Sequence, residues 1–274
     1  MKTVFEITPE SLDTEKCSLF CELTQESFSY AIRHDEEKRI VSLGVYQYEK
    51  NRPQAGFHIA LQILFHQHKM LSEKFKKSCI VYSVPRSVLI PFTMYNSQKN
   101  VEVLNLVHGD ISASETIMSD MIPGQDLYNI YSINTALNNT ILYQFPPIRG
   151  IHQYTAFLKK RQVEDKLTAL FYHEKLVVTL FKEGKFQLLN SFSYRTPEDV
   201  AYILLNICKQ FNARDIALEA GGLIEENSAL YKSIYNYFSN IKLMDTSRDY
   251  KFGEEITQYP LHFFNHLYEF DLCV

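Results

Sequence analysis

The side chains that could support chemistry in this sequence complete none of the familiar short catalytic motifs. His66 and His68 are separated by one residue, a spacing that points their side chains to different faces of a helix. The sequence contains no H-E-x-x-H zinc motif, no G-x-S-x-G nucleophile motif and no G-x-x-x-x-G-K-S/T phosphate loop. It therefore indicates no zinc protease, serine hydrolase or P-loop site.

The cysteines offer a second kind of chemistry, but their spacing does not support it. No two of them form a C-x-x-C pair, and most lie within apolar patterns: Cys17, Cys21, Cys79, Cys208 and Cys273. Such cysteines are typically buried free thiols in a reducing compartment. Glu6 and Glu10 interrupt the apolar stretch of a signal peptide, and no stretch approaches the about 18 apolar residues of a membrane span. We expect a cytoplasmic protein without membrane insertion.

The elements that must position any site repeat one order in the two halves of the chain: three strands, a helix, a strand and a helix. In the first half, apolar runs between polar turns predict the strands Cys17–Leu23, Phe28–Arg33, Arg39–Tyr48 and Ser78–Val84. A helix is predicted from about Gln54, after Pro53, to Met70 because apolar residues recur there at helical spacing.

In the second half, the corresponding predicted strands are Leu167–Tyr172, Lys175–Lys182, Lys185–Phe192, Asp215–Leu218 and Ile241–Met244. The sequence Thr196-Pro197-Glu198-Asp199 predicts a helix start, with a capping threonine, a proline in the first turn and two acids at the positive end of the dipole. Gly221 and Gly222 precede a second predicted helix, Asn227–Phe238, and predict a tight strand-to-helix turn.

Further elements are predicted between the halves: the strands Glu115–Met121 and Leu127–Ile133 and the helices Asn134–Phe145 and Gly150–Arg161. A lobe boundary near Gln162–Asp165 divides the chain into lobes of residues 1–163 and 164–274. The chain has 274 residues, of which 46% are hydrophobic, so each lobe can bury a core. The net charge of −4 gives no long-range attraction to nucleic acid.

This α/β pattern with mixed sheets resembles the ribonuclease H-like fold as duplicated in the actin-like ATPases. The likeness is most local at DIALEAGGLIEENSALY, Asp215–Tyr231. In that superfamily a strand, a Gly-Gly pair and a helix start lie against the adenosine of ATP. The resemblance implies that Gly221 and Gly222 take this position, with ATP as the ligand; the alternative is that the two glycines only form the turn.

Two short segments are similar to a bacterial family of unknown function with this fold, itself similar to actin-like pilus-assembly proteins. The segments are IVYSVPRSV, Ile80–Val88, and EENSALY, Glu225–Tyr231. The implied likeness spans nearly the whole chain. It predicts a fold and assigns no activity.

The resemblance also implies where phosphate should bind, and the sequence departs from the family pattern at both places. In the ATP-hydrolysing members the first hairpin of each lobe carries glycines that close on phosphate and an aspartate that holds the magnesium shell. Here the hairpins are Leu23–Ser27 and Tyr172–Lys175, with neither glycine nor aspartate. Glu174 would repel a phosphate, which Lys175 would partly offset. Both loops argue against hydrolysis.

A metal-dependent nuclease is a further hypothesis, because ribonuclease H-like nucleases hold two metal ions with carboxylates at strand ends. Glu22, Glu174 and Glu219 lie near the ends of predicted strands. Glu22 and Glu174 fall in different lobes, so we do not expect them to converge. Solvated acids at strand ends are the alternative, and no metal site is predicted.

The sequence therefore predicts an actin-like-fold protein with a non-catalytic binding or scaffold role and a protein partner. The alternative is an ATP-binding or weakly hydrolysing member with degenerate phosphate loops. The amphipathic segment Leu261–Phe270 is interpreted as a packed final helix or a partner-binding helix.

Overall fold

The structure, a computed structural model, describes residues 1–49, 56–159, 164–245 and 250–269. The chain forms two compact units. Unit 1 contains the described residues of Met1–Lys160, together with Tyr250–Ile256 and the residues from Leu267 on. Unit 2 contains the described residues of Arg161–Asp249, together with Thr257–His266.

The described residues form fifteen strands and seven α-helices. The strands are β1 (Lys2–Ile7), β2 (Cys17–Thr24), β3 (Ser27–His34), β4 (Arg39–Gln47), β5 (Lys77–Ser83), β6 (Ser87–Pro91), β7 (Glu115–Ile122), β8 (Leu127–Asn134), β9 (Arg149–His152), β10 (Lys166–Phe171), β11 (Lys175–Lys182), β12 (Lys185–Ser193), β13 (Leu218–Gly222), β14 (Ile241–Leu243) and β15 (Lys251–Phe252). The helices are α1 (Phe57–Gln67), α2 (Asn100–His108), α3 (Thr135–Gln144), α4 (Gln153–Lys159), α5 (Pro197–Gln210), α6 (Ala229–Tyr235) and α7 (Asn265–Glu269).

Unit 1 is built on a mixed sheet of seven strands in the order β1-β4-β3-β2-β5-β9, with β15 also paired to β4. β2, β3 and β4 form an antiparallel meander, whereas β5 and β9 extend the sheet parallel to β2. A separate antiparallel sheet of β6, β8 and β7 lies in the sequence between β5 and β9.

The core of unit 1 forms because the central strands present apolar side chains and α1 and α3 cover them. Phe65 of α1 meets the ring of Phe28 edge-on, with a centroid distance of 5.2 Å. Phe145, just after α3, meets Phe65 at the same centroid distance. Most residues of β2 and β3 are buried, so these two strands lie at the centre of this core.

Unit 2 is built on a five-stranded sheet in the order β12-β11-β10-β13-β14. Its first three strands are antiparallel, and β13 and β14 run parallel to β10. Helix α5 starts as the sequence predicted: the Thr196 side chain accepts from the Asp199 N–H, and the Asp199 side chain accepts from the Thr196 N–H. Its buried face, which includes Val200 and Leu204, packs on the sheet.

The two units share one strand order within their central sheets. In unit 1 the strands lie side by side in the order β4-β3-β2-β5-β9. In unit 2 they lie side by side in the order β12-β11-β10-β13-β14. In each case a three-stranded meander is followed by two strands that run parallel to its first strand. The repeated order of elements expected from the sequence is therefore a repeated sheet topology.

Most predicted elements are present within one or two residues of their expected ends, but two predictions are wrong. The helix predicted at Gly150–Arg161 begins as the strand β9, and α4 starts only at Gln153. The strand predicted at Asp215–Leu218 lies later, at β13, so Gly221 and Gly222 are its last residues rather than the turn after it. The sequence analysis does not predict β1, β6, β15 or α2.

Some predictions fall wholly or partly outside the described residues, including the last two residues of the predicted helix Gly150–Arg161. The helix start at Pro53 and Gln54 lies there, and within the described chain α1 begins at Phe57. Part of the expected boundary at Gln162–Asp165 also lies there, as do Cys273 and the last residue of Leu261–Phe270. The described part of that last segment is a 3-10 turn, Leu261–Phe263, followed by α7.

Candidate functional site

The carboxyl ends of the parallel strands are where α/β sheets of this kind place their ligands. In unit 1 this edge is formed by the ends of β2, β5 and β9. In unit 2 it is formed by the ends of β10, β13 and β14. Each edge is described separately below.

Glu22 is the central acid at the edge of unit 1, and it is 1% exposed. It lies near the end of β2, opposite Val81 of the parallel strand β5. The Ser83 hydroxyl at the end of β5 and the Gln153 side-chain amide (3.3 Å) both donate to its Oε1. Helix α4 brings Gln153 to this position because it starts directly at the end of β9. The neighbouring parallel strands thus assemble a buried carboxylate with its own donors.

His152, the last residue of β9, is fully buried and held by two backbone contacts. The Tyr154 N–H donates to its Nδ1 at 3.0 Å, and its Nε2 lies 3.0 Å from the Val84 carbonyl oxygen. An imidazole that accepts at Nδ1 and donates from Nε2 is neutral, with its proton on Nε2. His152 therefore fixes the geometry of the edge rather than carrying charge into it.

Asp120 of β7 joins this edge through the start of α4. Its Oδ2 accepts from the His152 N–H and from the Thr155 hydroxyl, both at 2.8 Å. Its Oδ1 accepts from the Tyr131 hydroxyl at 3.2 Å. Burial raises the pKa of Asp120, although these three hydrogen bonds and Lys159 oppose the shift. Burial also raises the pKa of Tyr131, which remains a donor.

Together these groups form a network in which the donors and acceptors of the edge bond to one another. No group of three or more histidine, cysteine, aspartate or glutamate side chains that could hold a metal ion occurs in the part of the chain that the structure describes. A buried network of satisfied hydrogen bonds gives rigidity and specificity to a fold. The polar groups at this edge of the unit 1 sheet therefore satisfy one another's hydrogen bonds.

The first hairpin, between β2 and β3, is closed in the same way. The backbone N–H groups of Glu26 and Ser27 donate to Thr24 Oγ1 at 3.0 and 2.8 Å. The Ser27 hydroxyl lies 2.9 Å from the same oxygen. These N–H groups are the ones that a phosphate-binding hairpin would direct at a ligand. Thr24 engages them instead, because its side-chain oxygen accepts both hydrogen bonds within the turn.

The second hairpin, between β10 and β11, is a tight turn at His173 and Glu174. The Tyr172 N–H donates to the Lys175 carbonyl at 2.8 Å, and the Tyr194 hydroxyl donates to the Tyr172 carbonyl at 2.6 Å. The Lys175 ammonium lies over the Tyr172 ring, 4.3 Å from its centroid. The lysine that was expected to offset part of the Glu174 charge thus lies on an aromatic face.

Gly221 and Gly222 end β13 in the middle of the unit 2 edge, and both are buried. Gly222 has a φ of +77°, and a Cβ there would collide with the backbone of Phe171 in the neighbouring strand. A Cβ on Gly221 would collide with the side chains of Met244 and Asn265. The structure therefore gives both glycines a packing role. An adenosine contact by them remains a prediction from the sequence.

The three glutamates of the nuclease hypothesis belong to two different units. Glu22 belongs to the unit 1 network described above. In unit 2, Glu219 pairs with Lys166 at the amino end of β10, whereas Glu174 lies in the turn beyond the carboxyl end of β10. Glu174 is more than half exposed, with His173 Nδ1 at 3.8 Å. Within unit 2 the two acids do not converge on one metal position.

A surface cavity of about 340 Å³ opens beside the start of α5 in unit 2, lined by Ser193, Tyr194, Arg195, Asp199, Tyr202 and Ile203. Helix α5 is long enough for its amino terminus to attract an anion. Here the Asp199 carboxylate already accepts from the Arg195 and Thr196 N–H groups, both at 2.9 Å. The same hydrogen bonds lower the pKa of Asp199, so its own carboxylate is the anion at the amino terminus of α5.

A family model described as a protein of unknown function, DUF3822, matches residues 8–241. The chain belongs to the DUF3822 family. The resemblance to a family of unknown function that was inferred from the sequence is thereby confirmed. A comparison with curated proteins found no match for this DUF3822 member.

Several solved structures are similar to this DUF3822 chain, and one of them is described as having the actin-like ATPase fold. A Bacteroides thetaiotaomicron VPI-5482 protein with that fold and unknown function is 19% identical, with a TM-score of 0.72 over 85% of this chain and 94% of its own. A chain of the PilM–PilN type IV pilus biogenesis complex is 7% identical, with a TM-score of 0.57 over 92% and 95%. The ethanolamine utilization protein EutJ from Carboxydothermus hydrogenoformans is also 7% identical, with a TM-score of 0.51 over 93% and 89%. The predicted fold class is confirmed.

Among the described residues, no helix has the length and apolar character needed to cross a bilayer. Four cysteines in this part of the chain, Cys17, Cys21, Cys79 and Cys208, are buried free thiols. Burial raises the pKa of Cys17 to about 11, with Asp35 adding to the shift. These thiols are poor nucleophiles at neutral pH.

Sequence reasoning missed Asp120, Ser83 and Thr155 in unit 1 and Asn265 in unit 2. Asp120 and Ser83 lie within strand patterns and give no local signal. His152-Gln153-Tyr154-Thr155 was the one visible sign, because such a polar run is unusual beside a buried strand.

Proposed function

We propose that this DUF3822 protein acts by binding another protein and does not hydrolyse a nucleotide. The observation that carries the proposal is the first hairpin, where Thr24 Oγ1 accepts from the Glu26 and Ser27 N–H groups. A phosphate would have to displace the Thr24 oxygen before it could reach these two N–H groups. This displacement opposes the binding of a triphosphate, because the turn already satisfies both donors.

The second half of the proposal, a protein partner, is supported by the comparisons at the level of fold. One chain with this fold belongs to the PilM–PilN type IV pilus biogenesis complex. That likeness transfers neither its partner nor its process to this protein. It supports the idea that an actin-like fold can serve as a binding surface or scaffold.

The alternative proposal is that ATP binds without efficient hydrolysis, with Gly221 and Gly222 against the adenosine. The order of β13, the glycine pair and the Ser228-capped helix α6 favours it, since this is the order that the superfamily places at adenosine. The packing of Met244 and Asn265 against Gly221 opposes it, because these side chains occupy the space above that glycine.

Titration calorimetry with ATP and ADP in the presence of magnesium separates the two proposals. We expect no saturable heat, whereas a dissociation constant tighter than about 100 μM would decide for the alternative. Phosphate release is measured in parallel for the wild type and for Glu22→Gln, with Thr24→Ser as a matched control. Magnesium-dependent release that Glu22→Gln abolishes and Thr24→Ser leaves unchanged would contradict the proposal.

Partner binding is tested by photo-crosslinking in living cells. Photoreactive residues replace Leu106, Tyr202 and Tyr237, which are large and exposed in the structure. We expect at least one position to give a discrete crosslinked species of defined mass. If all positions, extended to the remaining exposed apolar side chains, give none, the binding role is wrong.

We further infer a cytoplasmic location. The buried free thiols described above support it, because disulfides are rare in reducing compartments. Cell fractionation checks this inference, and recovery of the protein outside the cytoplasmic fraction would contradict it.

A further inference from the structure

The carboxyl edge of the unit 2 sheet is covered by a segment of the same chain, Thr257–His266, which we call the strap. Its first four residues are exposed, and its last six turn inward and are largely buried. The 3-10 turn Leu261–Phe263 contacts β13. The strap therefore lies where this class of sheet ordinarily receives a ligand.

Three polar side chains of the strap make the specific contacts with the edge. His262 Nε2 donates to the Ile224 carbonyl at 2.7 Å. The Asn265 side chain packs against Gly221 and the Met244 thioether. The His266 ring lies 5.4 Å from the centroid of the Tyr172 ring at the end of β10. The contacts thus reach the ends of all three parallel strands, β10, β13 and β14.

The connectivity of the strap makes it separable from the sheet beneath it. The residues before it, Tyr250–Ile256, and those after it, from Leu267 on, belong to unit 1. No strand of unit 2 lies in the strap, so its release would leave every strand pair of that sheet intact. A segment held at both ends returns to its site with a high effective concentration after each release.

The contact between the strap and the sheet edge leaves one hydrogen-bond acceptor of the strap unsatisfied, so the strap does not fit the edge completely. Asn265 is 1% exposed, and among the described residues its Oδ1 has no hydrogen-bond partner. A buried unsatisfied acceptor costs about 1–3 kcal/mol. The edge therefore holds its present occupant less tightly than it would hold a segment that also satisfied this position.

We propose that the carboxyl edge of unit 2 is a peptide-binding site, that the strap is its intramolecular occupant, and that a segment of a partner protein replaces the strap. The structure defines the chemistry of that segment: a planar N–H donor opposite the Ile224 carbonyl, followed by aromatic side chains in the positions of Phe263 and Phe264. This inference rests on the proposed protein-binding function and assigns it a surface. The strap keeps that surface closed until a competing segment is present.

The test uses a fluorescent peptide with the strap sequence, TQYPLHFFNH, and two forms of the full chain. In the second form, residues 257–266 are replaced by a glycine–serine segment of equal length. A strap that is open in about one molecule in ten lowers the apparent affinity of a competing peptide about tenfold. We expect the peptide to bind the replaced chain at least that much more tightly than the wild type.

Control peptides identify the contact. A peptide with His262→Ala should lose binding, whereas one with Gln258→Ala, at an exposed position, should bind unchanged. Equal weak binding of all peptides to both chains would overturn the proposal.

Amide hydrogen exchange of the wild type keeps the proposal testable if the replaced chain does not fold. The strap should exchange at least about tenfold faster than α5, because it opens without unfolding unit 2. Exchange of both at one common rate would show that the strap is part of the unit 2 core, and the proposal would be wrong. Nucleotide binding by the wild type would contradict the proposed function. The peptide experiment would still decide separately whether the strap can be displaced.

Discussion

Replacing Gly222 with alanine should destabilise unit 2 more than any other glycine-to-alanine change within that unit. The substitution has two costs. A non-glycine residue at φ +77° costs about 1–2 kcal/mol. The new Cβ also meets the backbone carbonyl of Phe171, which cannot rotate away, and such overpacking costs about 1–3 kcal/mol.

Two matched variants separate these costs. Gly184 has a φ of +67°, and a Cβ added there would have nothing within 4 Å, so Gly184→Ala carries the backbone cost alone. Gly221→Ala carries only the collision, and with side chains that can move, Met244 and Asn265. Alanine also recovers about 0.4–1 kcal/mol by restricting the unfolded chain. We expect losses of about 2–4 kcal/mol for Gly222→Ala and about 1 kcal/mol for each of the others.

The assay is urea unfolding of the full chain, followed by hydrogen exchange in β10 and β13. Gly221→Ala should also speed exchange in the strap, because its Cβ pushes on Asn265, whereas Gly184→Ala should not. If Gly222→Ala costs no more than Gly184→Ala, the carbonyl of Phe171 is not an obstacle, and the packing role assigned to this glycine is refuted.

Three further predictions concern hydrogen bonds described above. Thr24→Val removes the oxygen that accepts two N–H groups and should lower the free energy of unfolding by about 1–2 kcal/mol, while Thr24→Ser should retain most of it; equal urea midpoints would contradict this. Because burial raises the folded-state pKa of Asp120, the folded chain binds its proton more tightly than the unfolded chain does. The stability of the wild type relative to Asp120→Asn should therefore fall as pH rises from about 3.8 through the raised value, and a pH-independent difference would refute the assignment. Thr196→Ala should cost about 1 kcal/mol through loss of the helix cap, with Thr196→Ser nearly neutral, as measured by thermal unfolding.

Where local pattern and tertiary structure agree, the sequence was sufficient to predict the fold. The meander β10-β11-β12 is marked by apolar runs between short turns, and α5 by its capping residues, so both are predicted nearly to the residue. β9 was assigned to a helix because a strand of four residues runs directly into α4 without a polar break.

The glycine pair shows why the end of β13 was misplaced. Glycine is a poor strand former, so local propensity assigns Gly221 and Gly222 to a turn. They belong to the strand because they pair with Leu170 and Phe171 of β10. Phe171 and Asn265, which are distant in the sequence, leave no room there for a Cβ. The same limit applies to Asp120, whose partners are set by sheet pairing and by the start of α4. Long-range contacts of this kind cannot be inferred from one sequence.

The discontinuity of unit 1 has a consequence for how the protein is made. β15 pairs with β4, although more than two hundred residues of sequence separate them, and all of unit 2 before the strap is translated in between. On a ribosome that adds about 5–20 residues per second, β4 waits many seconds with that part of its edge unpaired. The amino-terminal sheet can therefore be completed only after Lys251 and Phe252 have been synthesised, and a chain interrupted before Lys251 would leave this short strand edge unpaired and open to association.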